Sequence, residues 1–323
     1  MKYRTLRGTG ATVSRLSLGT MTFGREIDEE TSIRMVHMAL DAGINFVDEA
    51  DIYAGGRSEE IVGKALQGRR DAVVLASKVG NRSGPDRLRD AGLHRYHVIR
   101  GVEDILRRLR TDRLDILYMH RPDPRTPLEE TLAAFDHLVR QGKVLYVGMC
   151  NYAAWQVGEA VLRGERSGWA PPVVIQVPYN LLTRSVEAEC VAFCDRFSIG
   201  MTVYNPLAAG LLSGKHIAAP EPAQGTRFAA DKQYYERYWT QANQAAVAAL
   251  AEIARRAGKT LIELSLQWLL AQPHVDSVIL GASRFEHLEA NLQAAEGELD
   301  QPTLQACDAV WAELRGSHFQ YNR

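Results

Sequence analysis

Short apolar runs recur along the chain, and segments with helical periodicity separate them. Eight of these runs are largely apolar rather than alternating: RLSLG, INFVD, VVLAS, LDILY, VLYVG, VVIQV, MTVYN and SVILG. Such runs are typical of parallel strands buried on both faces, and the helices between them give the spacing of βαβ units. Eight units in one chain predict an α/β fold of the (β/α)8 TIM-barrel type. The alternative, a doubly wound sheet, needs a G-x-G-x-x-G turn after its first strand, and RLSLGTMTFG lacks it.

The two ends of the chain add elements to the barrel. Residues 1–18 alternate, and MKYRTL and VSRLSL flank an Arg-Gly-Thr-Gly turn, which predicts an N-terminal β-hairpin. Helical periodicity over Gln301–Leu314 predicts an extra helix at the C-terminus. Because no shift in composition and no Pro- or Ser-rich linker interrupts residues 1–323, we expect a single barrel domain.

Composition and charge narrow the possible functions. Lys plus Arg (38) nearly balance Asp plus Glu (39), so nothing in the charge calls for nucleic acid or an anionic membrane surface. The N-terminus lacks an apolar signal core and no stretch of about 18 apolar residues occurs, so we expect a cytoplasmic protein without a membrane partner. The four cysteines form no disulfide framework, and Cys190 and Cys194 are expected to be small buried residues rather than metal ligands.

Four polar side chains follow three consecutive predicted strands. Asp48 ends the second barrel strand, Tyr53 lies five residues beyond it, Lys78 ends the third strand and His120 the fourth. In a barrel the carboxyl ends of the strands meet at the face where active sites lie, so we expect the four to converge. Each alone has a structural alternative: a helix cap for Asp48, a loop aromatic for Tyr53, a lysine that reaches solvent, and a histidine at the edge of the core.

Together these groups suit the reduction of a carbonyl, which needs a hydride and then a proton on oxygen. A phenol with a pKa of about 10 is a slow acid at neutral pH, and a nearby ammonium lowers that pKa. Lys78 could supply the ammonium, with Asp48 as the partner that a buried lysine needs. A neutral His120 could orient the substrate oxygen. A metal-dependent hydrolase would need a His-x-His or carboxylate cluster at the strand ends, and the sequence shows none.

Several segments, in this order, are similar to blocks of the aldo-keto reductase superfamily over essentially the whole chain. DEADIY, ASKVG and YMHRPDP resemble the blocks of the catalytic residues. YVGMCN and IQVPYN resemble nicotinamide-binding blocks, YNPLAAGLLSGK the loop that packs on the cofactor, and ILGASRFEHLEANL the block for the adenosine phosphate. The short connection after His120 and the segment GTRF resemble the bacterial and potassium-channel β-subunit-like branches.

The resemblance implies an NAD(P)H-dependent oxidoreductase that reduces small aldehydes or ketones to alcohols. Tyr53 would be the general acid, Lys78 and Asp48 would tune it, and His120 would orient the carbonyl. The alternative is a cofactor-binding regulatory subunit of the same fold with little turnover, since these four catalytic residues, the tetrad, also occur together in the β-subunit-like branch. Neither the physiological substrate nor the oligomeric state follows from the sequence.

The resemblance also implies which residues bind the cofactor. Asn151 and Gln176 would hold the nicotinamide amide, and Tyr204 would stack on its ring. The backbone of Leu207–Leu212 would approach the pyrophosphate, with Arg227 as a further phosphate partner. The full set of expected contacts is Gly19, Thr20, Met21, Cys150, Asn151, Gln176, Tyr204, Asn205, Pro206, Leu207, Gly210, Leu212, Lys215, Arg227, Gly281, Ser283, Arg284, His287 and Asn291.

The expected substrate contacts lie at the pocket mouth. Phe23 and Arg121 are the substrate residues that the resemblance implies, with the long polar loop Gly80–Arg95 beside them. Arg121 follows His120 directly and indicates a polar or anionic group on the substrate, with a surface salt bridge as the alternative.

Departures from the family pattern mark where this chain differs. Glu49 replaces the usual Thr beside Asp48, Ala54 a usual Gly, and Cys150 a usual Ser. His287 stands where Arg or Gln is common, which leaves Arg284 as the fixed cation near the expected 2′-phosphate. Because arginine binds phosphate through two parallel hydrogen bonds, NADP(H) is favoured and NAD(H) is the alternative.

Overall fold

Eight parallel strands close into a barrel in the computed structural model, which describes residues 1–86, 88–217 and 221–316. The strands are β1 (Tyr3–Thr5), β2 (Thr12–Ser14), β3 (Leu16–Gly19), β4 (Phe46–Asp48), β5 (Val74–Val79), β6 (Leu114–Met119), β7 (Val144–Cys150), β8 (Pro172–Pro178), β9 (Gly200–Tyr204) and β10 (Ser277–Leu280). Strands β3 to β10 form the barrel, and β10 pairs with β3 to close it. Each predicted apolar run forms one barrel strand, so the (β/α)8 prediction is confirmed.

Helices alternate with the strands and surround the barrel. They are α1 (Glu29–Asp41), α2 (Arg57–Ala65), α3 (Arg95–Leu109), α4 (Leu128–Arg140), α5 (Ala154–Ser167), α6 (Cys190–Phe197), α7 (Arg227–Ala230), α8 (Lys232–Tyr238), α9 (Gln241–Arg256), α10 (Leu261–Ala271), α11 (Phe285–Ala294) and α12 (Gln301–Arg315). The predicted extra C-terminal helix is α12. Within the described ranges, no helix is long and apolar enough to cross a bilayer.

The segment before α9 is more helical than its polar sequence predicts. It contains α7 and α8, and Asp231 caps α8 by accepting from the Gln233 backbone N–H at 2.9 Å. The periodicity over residues 186–197 predicts one helix, but the structure divides it into the 3₁₀ turn Ser185–Ala188 and α6. The division lies at Glu189, whose φ of −147° is not helical.

The N-terminal hairpin is confirmed, although it is shorter than predicted. Strands β1 and β2 pair antiparallel, with Tyr3 opposite Ser14 and Thr5 opposite Thr12. Only the first part of the second predicted arm, VSRLSL, belongs to the hairpin. Its residues from Leu16 onwards pair with β10 and belong to the barrel. Leu6 and Val13 of the hairpin region pack against the side chains that fill the barrel.

Large side chains fill the barrel interior below the mouth. One buried cluster contains side chains from β4, β5, β6 and β8, namely Phe46, Ala76, Ile116, Tyr118 and Val174. Hairpin residues and Cys150 belong to the same cluster. Tyr118 is fully buried there, and its ring leaves no room for a side chain at Gly148 of β7. A Cβ on Gly148 would lie 2.4 Å from the Tyr118 ring. Glycine at that position therefore allows the Tyr118 ring to pack inside the barrel, below the mouth.

The long loop between β5 and α3 is anchored to the loop after β6. Asp123 accepts hydrogen bonds from the Leu93 backbone N–H and the Thr126 hydroxyl, both at 2.8 Å. His97 contacts the Gly92 carbonyl through Nδ1 at 2.8 Å. Arg87 of this loop lies outside the described residues. The loop beside the barrel mouth is thus held in place by hydrogen bonds rather than by regular structure.

Candidate active site

The carboxyl ends of β4, β5 and β6 lie side by side at the barrel mouth. Strand β4 ends at Asp48, Lys78 is the penultimate residue of β5, and His120 follows β6 directly. Tyr53 opens the 3₁₀ turn Tyr53–Gly56 that precedes α2. The parallel register of the three strands brings the four predicted catalytic side chains into one cluster.

Lys78 lies at the centre of this cluster. Its Nζ is 2.6 Å from Asp48 Oδ2, 2.7 Å from the Glu49 carbonyl oxygen and 3.4 Å from the Tyr53 hydroxyl. An ammonium has three N–H donors, so each finds an acceptor. Because the lysine is only 1% exposed, the alternative of a side chain that reaches solvent does not hold.

Asp48 is fixed from two sides. Its Oδ2 accepts from Lys78, and its Oδ1 accepts from the Gln176 amide at 2.7 Å. The helix-cap alternative does not hold either, since α2 begins after Gly56 and Asp48 caps no helix. Asp48 therefore joins Lys78 to a residue that the resemblance assigns to nicotinamide binding.

Burial and charge set the protonation states of the cluster. Burial lowers the pKa of Lys78, but Asp48 and Tyr53 oppose it and carry that pKa above its usual value, so the amine stays cationic. Burial, with the charges of Lys78 and Arg121, lowers the pKa of His120 to about 3, so its imidazole is neutral at physiological pH.

Lys78 lowers the pKa of Tyr53 as expected, but the expectation that the pKa is lowered overall is wrong. Burial raises the pKa of Tyr53 above its usual value, and the Lys78 ammonium opposes only part of that rise. His120 faces the same phenol, with the two rings nearly perpendicular and their centroids 6.5 Å apart. Its Nδ1 is buried and has no hydrogen-bond partner among the residues that the structure describes.

This barrel and strand-end cluster agree with comparisons against known proteins. The family model of the aldo/keto reductase family matches residues 15–312. The chain belongs to the aldo/keto reductase family. A probable voltage-gated potassium channel subunit beta from Arabidopsis thaliana is 36% identical over 309 residues, and one from Oryza sativa subsp. japonica is 36% identical over 304, with 92% of each chain covered in both cases. An uncharacterized oxidoreductase, YrpG of Bacillus subtilis (strain 168), is 36% identical over 323 residues, covering 96% of both chains.

In this aldo/keto reductase, the predicted nicotinamide clamp adjoins the catalytic cluster. Asn151 donates to the His120 carbonyl at 3.1 Å and accepts from the Tyr204 hydroxyl at 2.8 Å. The Cys150 thiol donates to the Gln176 amide oxygen across 3.6 Å. Burial raises the pKa of Cys150 to about 12, so the thiol is neutral and acts as a weak donor where the family usually has a serine.

The predicted pyrophosphate loop has an unusual backbone. Asn205, Ala208, Ala209 and Gly210 all adopt positive φ, at 63°, 48°, 58° and 101°. Asn205 fixes this conformation by accepting from the Ala209 backbone N–H at 2.6 Å. Such backbone is costly for residues other than glycine, and it clusters at ligand sites. The remaining predicted contacts on this segment are Pro206, Leu207, Leu212 and Lys215.

The start of α11 suits an anionic group. The cap residue Arg284 offers no side-chain hydrogen bond to the helix, so the backbone N–H groups of the first turn keep their capacity to donate. Burial, then the charges of Arg284 and Lys215, lowers the pKa of the adjacent His287. Ser283 contacts His287 Nδ1 at 3.3 Å. Arg284, Ser283 and the first turn of α11 line one cavity, which the carboxylates of Glu26, Asp28 and Glu286 also border. The cation, the hydroxyl and the helix N-terminus are groups that bind the phosphate of a dinucleotide. Gly281 lies exposed just before this turn, and Asn291 is buried on α11.

The other predicted cofactor residues lie at the edges of this region. Thr20 is buried after β3 and donates to the Asp48 carbonyl at 2.9 Å. Gly19 and Met21, on either side of it, are half-buried. Arg227 lies 5.3 Å from the centre of the Tyr234 ring.

The two predicted substrate residues differ in their exposure. Phe23 is fully buried in the core, so its ring has no surface to offer a substrate. Arg121 is exposed and forms no ion pair within the described part of the chain, which removes the surface salt bridge as its explanation. Arg121 is therefore available to contact a substrate, whereas Phe23 is not.

Sequence reasoning singled out Glu49 but not its burial, and it missed two further buried carboxyl groups behind the tetrad, Asp51 and Glu59. Glu49, Asp51 and Glu59 are all buried, and Glu59 pairs with Arg108 of α3 at 2.6 Å. A signal was present, since Glu59 lies shortly after the Gly-Gly turn, at the predicted start of a helix. In the described ranges, no group of three or more His, Cys, Asp or Glu side chains could hold a metal ion.

Proposed function

We propose that this protein is an NADPH-dependent reductase of small aldehydes or ketones, with Tyr53 as the general acid. The observation that carries the proposal is the contact of Lys78 with both Asp48 and Tyr53 at the barrel mouth. A phenol, a charged ammonium and a neutral imidazole together supply a proton and stabilise the oxygen that receives it.

The residues of the tetrad have distinct tasks in this reaction. A nicotinamide, when bound, would supply a hydride to the carbonyl carbon. Tyr53 gives its hydroxyl proton to the carbonyl oxygen, and the Lys78 ammonium stabilises the phenolate that remains. Asp48 holds the ammonium in place, and neutral His120 can donate a ring N–H to the same substrate oxygen.

NADP(H) rather than NAD(H) is the cofactor we propose. The charges of Arg284 and Lys215 both act on His287, in the first turn of α11, where the resemblance implies the adenosine 2′-phosphate. Phosphate carries more charge than a hydroxyl and gains more from two permanent cations. NAD(H) would leave those cations without an anionic partner, so we expect it to bind less tightly.

A second candidate function is a cofactor-binding regulatory subunit with little turnover. Two relatives named as probable potassium channel β-subunits are 36% identical to this chain, as is the bacterial oxidoreductase. Multiple turnover of carbonyl substrates favours the reductase. Tight NADPH binding without turnover favours the subunit.

The test is a fluorescence titration with NADPH and NADH, followed by a carbonyl panel, for the wild type and Tyr53→Phe. The panel pairs aldehydes with and without a carboxylate, because Arg121, next to His120, forms no ion pair with any residue that the structure describes. We expect Tyr53→Phe to bind NADPH with an affinity within about twofold of wild type and to lose roughly 10²- to 10⁴-fold in kcat. Undiminished turnover in this variant would overturn the assignment of Tyr53.

A further inference from the structure

Glu49 turns away from the catalytic cluster, into a fully buried site beside it. Asp48 and Glu49 are neighbours at the end of β4, so their side chains point to opposite sides. Asp48 reaches Lys78, whereas Glu49 Oε1 lies 2.6 Å from the hydroxyl of Ser58, at the start of α2. Its Oε2 accepts from the Ala50 backbone N–H at 3.1 Å.

Counting hydrogens at Ser58 indicates where the proton lies. The Ser58 Oγ is within hydrogen-bond distance of two oxygens, Glu49 Oε1 at 2.6 Å and the Thr20 carbonyl at 2.9 Å. A serine hydroxyl has one proton, and a carbonyl can only accept. The Thr20 carbonyl also accepts from the Phe23 backbone N–H at 2.9 Å. Both short contacts of the Ser58 oxygen nevertheless contain a proton only if Ser58 donates to Thr20 and Glu49 donates to Ser58. Glu49 is then a neutral carboxylic acid at the head of a chain that ends at Thr20.

The charges around Glu49 are consistent with a neutral acid. On β5, Lys78 is occupied by Asp48, the Glu49 carbonyl and Tyr53. Thr20, which follows β3 and contacts Glu49, is uncharged. The remaining charged neighbours are Asp51 in the loop after β4, Glu59 on α2 and Arg108 on α3, which pairs with Glu59. Within the described residues, Glu49 has no cationic partner. Burial, and then the charge of Glu59, raises the pKa of Glu49 to about 8.

We propose that Glu49, as a neutral acid, is a positioning residue of the active site, and that its ionisation weakens catalysis in alkaline solution. It ties the end of β3 to the start of α2 through Ser58, and its own backbone carbonyl holds the Lys78 ammonium. The catalytic part of this proposal rests on the proposed reductase function. Its protonation part does not, because it concerns the protein without cofactor or substrate.

Loss of the proton has two consequences. The Ser58 hydroxyl turns to the new carboxylate, and the Thr20 carbonyl keeps only the Phe23 backbone N–H as a donor, at the edge of the predicted nicotinamide site. The new negative charge also opposes formation of a phenolate at Tyr53, where Glu49 acts to raise the pKa. A phenol with a higher pKa is a weaker acid, so kcat for reduction falls.

The first test measures protonation in the cofactor-free protein. Infrared spectra from about pH 6 to about pH 10 follow the carbonyl stretch of protonated carboxylic acids. Glu49→Gln keeps the two hydrogen bonds of the neutral acid, since its amide donates to Ser58 and accepts from Ala50, but it cannot ionise. We expect the wild type to lose a band near pH 8 that Glu49→Gln lacks throughout. Asp51→Asn is the matched control, because Asp51 is another buried carboxyl with a raised pKa, and it should retain the band.

Stability against pH gives a second measurement without activity. The folded state binds the Glu49 proton more tightly than the unfolded chain, whose carboxyl has a pKa of 4.5. The wild type should therefore lose stability relative to Glu49→Gln as pH rises from 4.5 towards about 8, and the difference should then level off. A difference that does not change with pH would overturn the protonation assignment.

The third measurement is the pH profile of turnover. We expect Glu49→Gln to have a kcat near neutral pH within about twofold of wild type, and to retain roughly tenfold more activity at about pH 9.5, a gain that corresponds to one pKa unit at Tyr53. Asp51→Asn should follow the wild-type profile. Equal alkaline loss in wild type and Glu49→Gln, together with the expected infrared band, would overturn the positioning role alone. A chain with no turnover in any variant would instead contradict the reductase function.

Discussion

The catalytic corner at β4 to β6 and the cofactor edge at β9 to α11 lie on the same barrel mouth but are built differently. At the catalytic corner, Lys78 and Asp48 are buried and every donor of the ammonium has an acceptor. At the cofactor edge, Arg284 and Lys215 are exposed, and neither forms an ion pair within the described residues. One region satisfies its charges internally, whereas the other presents cations to an anion from outside.

This contrast indicates which part of the site is prepared before a cofactor binds. Removing one partner of a buried ion pair is costly, because it leaves the other charge buried and uncompensated. Exposed cations on a loop and a helix end gain little from the protein and much from a phosphate. We therefore expect damage to the corner to lower both stability and turnover, and damage to the edge to lower affinity alone.

The largest effect should follow Lys78→Met, which leaves Asp48 charged and buried without its partner. We expect the free energy of unfolding to fall by about 3–5 kcal/mol, and kcat to fall by roughly 10²- to 10⁴-fold. Urea unfolding and steady-state kinetics measure the two losses.

The double variant Lys78→Met with Asp48→Asn separates the loss of stability from the loss of turnover. An asparagine side chain at this position has no charge to compensate and can still accept from Gln176, so most of the stability should return while turnover stays low. A double variant as unstable as Lys78→Met would show that the pair does not hold this corner.

The fold could be predicted from the sequence because each barrel strand is marked by its own apolar run. Runs such as VVLAS and VVIQV are buried on both faces and leave little ambiguity about where strands lie. The extent of the hairpin was less predictable, since alternation continues through Arg15 into β3, and only pairing with β10 shows where the hairpin ends.

The positions of the tetrad could be predicted because its residues lie at or just after strand ends. The pKa shifts of these residues could not be predicted. The sequence shows that Lys78 follows an apolar run, but not that burial outweighs its effect on the Tyr53 phenol. Glu49 shows the same limit. Its position beside Asp48 was visible, yet the partner that decides its protonation, Ser58, lies nine residues further on, across a turn and on another element.

An intermediate effect should follow Arg284→Ala at the cofactor edge. Loss of a charged hydrogen-bond donor costs about 1.5–3 kcal/mol, so we expect NADPH affinity to fall by roughly 10- to 100-fold and NADH affinity to change by less than about twofold. Fluorescence titration measures both, and unfolding by urea should match wild type. Arg166→Ala is the control, because Arg166 is an exposed cation on α5 and does not line the cavity at Arg284. Equal losses for NADPH and NADH would mean that Arg284 does not read the 2′-phosphate.

The smallest effects should come from one alanine in each region that adopts positive φ. Ala54 lies beside Tyr53 with φ 48°, and Ala209 lies in the predicted pyrophosphate loop with φ 58°. Glycine relieves about 1–2 kcal/mol of left-handed strain at each position, and the greater freedom of the unfolded chain offsets about 0.4–1 kcal/mol of it. Both Ala54→Gly and Ala209→Gly should therefore raise the free energy of unfolding by about 1 kcal/mol or less. Only Ala209→Gly should weaken NADPH binding, because it loosens a loop that is otherwise fixed by Asn205. If Ala54→Gly weakened NADPH binding as much, the catalytic corner and the cofactor edge would not be separable in the way their charges indicate.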